Sequence, residues 1–544
     1  MDARMVNRML EQRVRDLAAK SPSGSLEERR RTLRKSLGLE PMPPRTELNA
    51  QVTGILMRDG YRIDKLRYES RPRVLVTAHL YRPEGEGKWP VILRPHGHWD
   101  HKKSARIVQA GAIGLALAGF ATLAIDSPGV SWDDNPQNER REMGPHDDWF
   151  LSMGMPVLGV YVWDVLRGLD YLETRTELDT TKVGITGASG GGATAMYAFA
   201  LDDRIAAAVP VVSVASLEMN PNLGCLCNHL PDLMANGDRS DVLGMRAPNG
   251  AVMVLAAEVD EEFPIEGHLR TEEKLKRIYR HHRCEHKVRF ERFWGGHDYN
   301  RRMREAALAF FTEHLRGAKP APYLPESRPL FDGILNPYPT GTEDPTNPAL
   351  LVTESHERST RSFRELLGTA LAEPYPEPLN SEPRVMSWRR YGNLLDVRPG
   401  AIVAIHDSTV ENPKEAGSIV LPIEEVDQRL CIMLGLSMAE LFGQLLHTFL
   451  PGGPEGWEVA GAGIAGDALT SMIASVRTLV STPEAPPKLI VAEGPVASLA
   501  ARFLARYRPD LDVQATHLWT SWREALDQNI RQNAQPNARY LDWV

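Results

Sequence analysis

Between residues 90 and 316 the chain alternates two hydrophobic patterns. Short β-rich runs cover 90–94, 121–125, 182–186, 205–212, 251–257 and 287–293, and several are apolar at every position. A continuous apolar run suits a strand buried on both faces; a strand with one wet face would alternate. Between the runs lie longer segments whose apolar residues return every three or four positions. They predict helices over 104–119, 157–174, 191–201, 268–283 and 301–316. Strands and helices in turn predict a mostly parallel sheet with helices on both faces, an α/β class of fold.

Residues 50–82 read as β-hairpin material, with a β-rich stretch at 73–81 between Pro72 and Pro83. Upstream, 1–45 predicts two short helices parted by Ser21-Pro22-Ser23-Gly24 and ended by Pro41, Pro43 and Pro44. Prolines with Gly and Asn mark 318–350 as a linker. Beyond it the alternation resumes, with strands at 401–405, 457–460 and 488–492, a mixed segment at 423–434, and helices at 437–450, 466–478 and 496–506. A single core rarely grows past about 250–300 residues, so a chain of 544 should hold two domains. The expected division is an N-terminal helical segment at 1–45, a first α/β domain at 46–320, a linker at 321–350, and a second, smaller α/β domain at 351–544 that is not catalytic.

Composition narrows the classes. Hydrophobic residues at 42% and charged residues at 25% are ordinary for a globular chain. A net charge of −8 without a dense basic stripe argues against nucleic acid as a partner. Arg29, Arg30, Arg31, Arg34 and Lys35 are the local exception and read as a solvated helix face. No apolar stretch is long enough for a membrane span, and the charged N-terminus lacks the apolar core of a signal peptide, so a cytoplasmic location is expected. The four cysteines, Cys225, Cys227, Cys284 and Cys431, are too few for a disulfide scaffold and too closely or too widely spaced for a redox or zinc motif. They read as structural thiols, with one long-range disulfide left open. A homo-oligomer is equally left open.

The chemistry concentrates at Gly187-Ala188-Ser189-Gly190-Gly191, a G-x-S-x-G motif between a predicted strand and a predicted helix. Small neighbours let the backbone turn sharply and present the serine above the sheet, near the positive end of the following helix. A dinucleotide loop is the competing reading, but its G-x-G-x-x-G spacing is not met. A serine hydroxyl needs a base, and the base an orienting acid. In the order Ser, acid, His, the loops after the next two strands offer Asp260 and His297. Glu258, Glu261 and Glu262 crowd Asp260, and Glu218 follows an earlier strand, so each is an alternative acid. An oxyanion hole would take the N–H of Gly190 and a second from the loop Pro95-His96-Gly97-His98-Trp99, where the backbone of His98 is favoured. His96, His98, Asp100 and His101 could instead form a metal cluster; their place on the oxyanion loop makes that the weaker reading, and neither metal nor cofactor is expected. The irregular segment 127–152 holds Trp132, His146, Trp149 and Phe150 where a lid or pocket wall would fall. Trp99, Trp132 and Trp149 are candidate substrate contacts, since aromatic faces suit sugar or aryl stacking, although they serve equally to pack a loop.

These residues carry a resemblance. The run Pro90 to Trp99 with His96-Gly97-His98, the turn at Ser189, Asp202-Asp203-Arg204-Ile205, Cys225-x-Cys227, Ala247-Pro248 and Gly296-His297 together resemble the acetyl xylan esterase-like α/β-hydrolases. That group borders on the dienelactone-hydrolase and prolyl-oligopeptidase-like groups, and the resemblance covers about residues 40–320. It implies an α/β-hydrolase fold and metal-free hydrolysis of small acyl esters, often acetyl groups on carbohydrate, with Ser189, Asp260 and His297 as nucleophile, acid and base. The Arg-Gly-Gln element of the cephalosporin/xylan deacetylases is absent, and Pro95-His96-Gly97-His98 stands in that region. The expected enzyme is therefore a serine carboxylic ester hydrolase with a small-molecule ester substrate. The alternatives are a peptidase, amidase or lactone hydrolase using the same triad, and a non-catalytic binding module. In the second domain, Gly461-Ala462-Gly463-Ile464-Ala465-Gly466 follows a strand like an elbow without a nucleophile. A degenerate hydrolase-like unit and an unrelated Rossmann-like fold are both left open there.

Overall fold

The computed structural model describes residues 3–18, 22–99, 102–127, 156–220, 228, 230 and 233–320, and beyond them 388–389, 402–407, 419–421, 430, 433, 458–459, 489–493 and 512–515. Strands β1 (Gln51–Arg58), β2 (Tyr61–Arg71), β3 (Val74–Pro83), β4 (Trp89–Pro95), β5 (Ala121–Ile125), β6 (Leu178–Ala188), β7 (Ile205–Val211), β8 (Ala251–Ala257) and β9 (Val288–Phe293) form one sheet. Its order is β1-β2-β3-β5-β4-β6-β7-β8-β9. From β5 to β9 neighbouring strands are parallel; β1, β2 and β3 add an antiparallel margin. This is the α/β-hydrolase arrangement expected from the alternation of runs.

The burial explains why the runs were readable. β4, β5 and β8 are buried at every position, since helices cover both faces. Helices α1 (Ala3–Ala18) and α2 (Leu26–Ser36) precede the sheet. Along it follow α3 (Arg106–Leu117), α4 (Val157–Glu173), α5 (Gly190–Leu201), α6 (Arg239–Gly244), α7 (Ile265–His281) and α8 (Arg301–Arg316). α3 and α8 touch each other across one side, and α4, α5, α6 and α7 pack in succession on the other. On the α8 side, Phe310, Phe311 and Met303 meet Val209, Val211 and Leu255 in a closed apolar cluster. α6 was not expected; it is short, and its start is defined by a reciprocal cap between Asp238 and Asp241 rather than by apolar periodicity.

The basic segment of α2 departs in part from the expected solvated face: Arg31 and Lys35 are exposed, but Arg30 is not. Arg30 is buried, gives its Nε hydrogen to Ala200 O and forks onto Asp203. Arg34 joins Glu27 and Glu40. The helix clasps the end of α5 through Arg30, while Arg34 pairs within its own segment. Gly159 of α4 completes the packing: a Cβ there would lie 1.8 Å from Leu37 O, so only glycine permits the approach. Cys284 is a buried free thiol donating to Tyr279 O, whereas Cys225, Cys227 and Cys431 lie outside the described residues.

A second sheet is built from β11 (Ile402–Asp407), β12 (Ile419–Leu421), β14 (Leu489–Glu493) and β15 (Asp512–Ala515), all parallel, in the order β12-β11-β14-β15. β10 (Trp388–Arg389) and β13 (Glu458–Val459) form a separate antiparallel pair. The expected linker and the expected helices at 437–450, 466–478 and 496–506 lie outside the described residues. Among the described residues no helix is long and apolar enough to cross a membrane.

Candidate active site

The sheet order reverses direction between β4 and β6: the chain steps one way from β4 to β5, then returns to the other side of β4 at β6. In open α/β sheets the crevice at the carboxyl ends of such strands is where ligands bind. Two expected elements meet there, the loop after β4 and the turn after β6.

Ser189 occupies the single residue between β6 and α5, with φ +56° and ψ −126°. Side chains rarely adopt this conformation, and it persists only where surroundings over-determine it. Here its N–H donates to Val211 O, and its carbonyl accepts from Gly192 and Ala193 at the start of α5. The glycines are sterically required. A Cβ on Gly187 would stand 2.5 Å from Gly191 O and 2.6 Å from Pro95 O; one on Gly191 would stand 2.5 Å from Pro95 O. β4's end therefore lies directly on the turn. A Cβ on Gly97 would be 3.1 Å from Ser189 Cβ, and one on Gly190 would be 2.9 Å from His98 Nε2. The 96–98 loop thus wraps the serine, as expected of an oxyanion loop.

Asp260 and His297 are brought together by the ends of β8 and β9. Glu258 N–H donates to Phe293 O and Val259 N–H to Gly295 O, continuing the pairing of the two strands into their loops. His297 Nδ1 lies 2.9 Å from Asp260 Oδ2, with the carboxylate fully buried and the imidazole 16% exposed. The other carboxylate oxygen accepts the N–H groups of Glu262 and Phe263 at 2.9 and 3.0 Å. Three donors thus replace the water that burial removes from the charge. Two of the alternative acids stand differently from Asp260. Glu218 is half exposed and pairs with Arg270. Glu262 lies 3.5 Å from His297 Nε2, on the opposite edge of the ring from Asp260, and is half exposed.

Aromatic rings hold the imidazole. Phe263 stacks on His297 at 5.5 Å and 13° between planes, and Trp99 lies 5.9 Å away at 34°. Trp99 also closes a circuit, because its Nε1 would be 3.0 Å from a Cβ on Gly97, the residue packed on Ser189. Through Gly97 and Trp99 the serine side and the histidine side of the site are in continuous contact.

Residues 70–216 match the model of the fungal glucuronyl esterase family, and residues 158–318 match the prolyl oligopeptidase family. The chain carries a domain of the α/β-hydrolase fold. It is 25% identical over 304 residues to a Bacillus subtilis (strain 168) protein named "Putative hydrolase YtaP", covering 53% of this chain and 99% of that one. It is 31% identical over 128 residues to a 4-O-methyl-glucuronoyl methylesterase of Podospora anserina, 22% of this chain and 26% of that one. Among solved structures it is similar to Methylesterase BT1017, with 22% identity, a TM-score of 0.46, and coverage of 68% of this chain and 79% of the other.

The hydrolase domain contains residues that the motifs did not single out. Phe263 was passed over as the residue before Pro264. Arg94 is wholly buried, donates to Val108 O and Ile107 O, and lies 4.8 Å over the Tyr299 ring; Tyr299 OH in turn is 2.9 Å from Thr186 Oγ1. This strut joins β4, the histidine loop and β6. Lys103 and Asp126 form a fully buried ion pair. Burial pushes the Asp126 carboxyl up, but Lys103, His96 and Lys102 together outweigh it and hold the group well below the usual range. Such a pair joins residues far apart in sequence, and no local motif announces it. His268, also buried, has its pKa pushed down to about 4 by burial. Trp132, His146, Trp149, Phe150, Asp100 and His101 lie outside the described residues. Among the described residues no cluster suited to a metal ion occurs.

Proposed function

We propose that the domain is a serine carboxylic ester hydrolase acting on small esters carried by carbohydrate. The observation that carries this reading is the fully buried Asp260 carboxylate bonded to His297 Nδ1, beside the strained turn that holds Ser189. Asp260 on Nδ1 keeps a proton there and leaves Nε2 as the basic nitrogen. Ser189 Oγ attacks the ester carbonyl while His297 Nε2 takes the hydroxyl proton. The tetrahedral oxyanion accepts hydrogen bonds from the N–H groups of Gly190 and His98. On collapse the C–O bond to the alcohol breaks, and His297 returns its proton to the departing oxygen. Water then attacks the acyl-enzyme by the same route and regenerates Ser189. Trp99, beside the imidazole, forms part of the wall facing the alcohol.

The carbohydrate preference draws support from the glucuronyl esterase family match and the named methylesterase relative. The match to the prolyl oligopeptidase family favours an amide as the second reading. One panel separates them: 4-nitrophenyl acetate through octanoate, acetylated xylan, a methyl glucuronate and a peptide 4-nitroanilide, on wild type and Ser189→Ala. Turnover of short esters should fall by about 10⁴-fold or more in the variant. Unchanged turnover in Ser189→Ala would remove the proposed nucleophile, and anilide cleavage in place of ester cleavage would select the amide reading.

A further inference from the structure

The loop after β4 contains a device beyond the triad, and it rests on the proposed function above. His96 is buried. Its Nε2 faces the N–H of Ser127 at 3.1 Å, and its Nδ1 faces Gly97 O at 2.6 Å. A backbone N–H can only donate, so Nε2 accepts and the ring proton sits on Nδ1, where it donates to the Gly97 carbonyl. Asp126 Oδ1 lies 3.6 Å from Nε2, beyond hydrogen-bond reach, and takes the backbone N–H of Lys103. Lys103 Nζ and Thr77 Oγ1 both donate to Asp126 Oδ2. The buried pair thus anchors the chain at Asp126, the residue before the N–H that fixes the tautomer of His96.

The consequence lies in one peptide plane. In a trans peptide the carbonyl and the following N–H point in opposite directions. With Gly97 C=O turned to His96, the N–H of His98 is turned away from it. Gly97 itself is packed on Ser189, where a Cβ would stand 3.1 Å from Ser189 Cβ. The geometry points to His96 as a positioning residue, which aims the His98 N–H at the oxyanion by holding the carbonyl of the same peptide. It touches no substrate; it prevents the flip of the Gly97–His98 peptide, to which glycine's wide conformational range would otherwise expose the loop.

Asparagine and glutamine divide the two roles of the ring. An Asn amide reaches the place of Nδ1 and can donate to Gly97 O; a Gln amide reaches the place of Nε2 and serves Ser127. Wild type, His96→Asn, His96→Gln, His96→Ala and Ser189→Ala are compared by kcat and KM on 4-nitrophenyl acetate, and by the inhibition constant of an alkyl boronic acid, with thermal unfolding as control. The expected result is kcat within about threefold of wild type for Asn, and roughly 10–100-fold lower for Gln and Ala, with KM changing little and boronate binding weakening in step with kcat. If Gln retains more activity than Asn, or all three variants fall or hold together, the inference is overturned. If Ala does not fold, the Asn–Gln contrast decides. Turnover surviving in Ser189→Ala sinks the proposed function itself, a failure separate from that of His96.

Discussion

Two glycine-rich segments occur in this chain, and among the described residues different strands precede them. Gly187 to Gly192 follows β6, an eleven-residue strand with parallel neighbours on both sides. Gly461 to Gly466 follows β13, of which Glu458 and Val459 are described and pair antiparallel with β10. The parallel sheet of the C-terminal half is made from other strands, β12, β11, β14 and β15. A glycine-rich turn becomes a nucleophile elbow only when adjacent strands deliver the rest of the site to it. β4 brings Pro95 and Gly97 against the first turn, and β8 and β9 bring Asp260 and His297. Of the expected strand at 457–460, Glu458 and Val459 are described, and among the described residues their partner is β10. The second turn itself lies outside the described residues.

The comparison breaks most sharply if chemistry does not depend on the loops of β8 and β9. Asp260→Asn keeps the size of the side chain and reverses its hydrogen-bonding demand on Nδ1. The expected loss in kcat is about 10⁴-fold, because the imidazole is then held in the wrong tautomer. Glu218→Gln removes a half-exposed partner of Arg270 and should leave ester turnover at the wild-type level. Steady-state kinetics on 4-nitrophenyl acetate read both. The reverse ranking would move the acid to the loop after β7 and undo the assignment built on the His297–Asp260 contact.

The same contrast explains what was legible. Strands 121–125 and 251–257 were readable to the residue, because sheet burial on both faces makes them apolar throughout. Ser189, Asp260 and His297 were readable because each sits where a strand ends, and strand ends are local features. Packing between distant segments was not. Lys103 with Asp126, Arg94 over Tyr299 and Phe263 on His297 depend on strand order and register, which periodicity does not encode. The start of α7 was placed three residues late, since Ile265 follows Pro264 and Glu266 interrupts the apolar pattern. The metal reading of His96, His98, Asp100 and His101 rests on residue types alone; ring orientation is visible only in the fold.

Acid sharpens the comparison by a smaller amount. His268 belongs to the nine-stranded region, and burial lowers its pKa from 6.5 to about 4. The unfolded chain therefore binds a proton that the folded one refuses between those values, and stability falls as pH falls through that window. The contribution present above pH 6.5 and lost by about pH 4 is on the order of 3 kcal/mol. Burial, the leading cause, also lowers His79, which acts with the same sign. His268→Gln should flatten the pH dependence of the urea midpoint between pH 7 and pH 4.5. An unchanged slope would mean that His268 does not govern acid sensitivity in this region.

The smallest expected effect tests the two turns directly. Gly187→Ala adds one methyl group where Gly191 O and Pro95 O would both lie within 2.6 Å. Neither obstacle is a flexible side chain; both are backbone, one at the start of α5 and one at the end of β4. The turn must open to admit the methyl, at a cost of about 1–3 kcal/mol in stability, and opening it moves Ser189 relative to Gly97. Turnover should therefore fall along with the unfolding midpoint. Gly463→Ala, in the middle of Gly461 to Gly466, adds the same methyl group with no catalytic side chain beside it in sequence. It should leave ester turnover unchanged whatever it does to the midpoint. If Gly463→Ala depresses kcat as Gly187→Ala does, the two regions are coupled, and the second turn would have to be read as part of the catalytic apparatus.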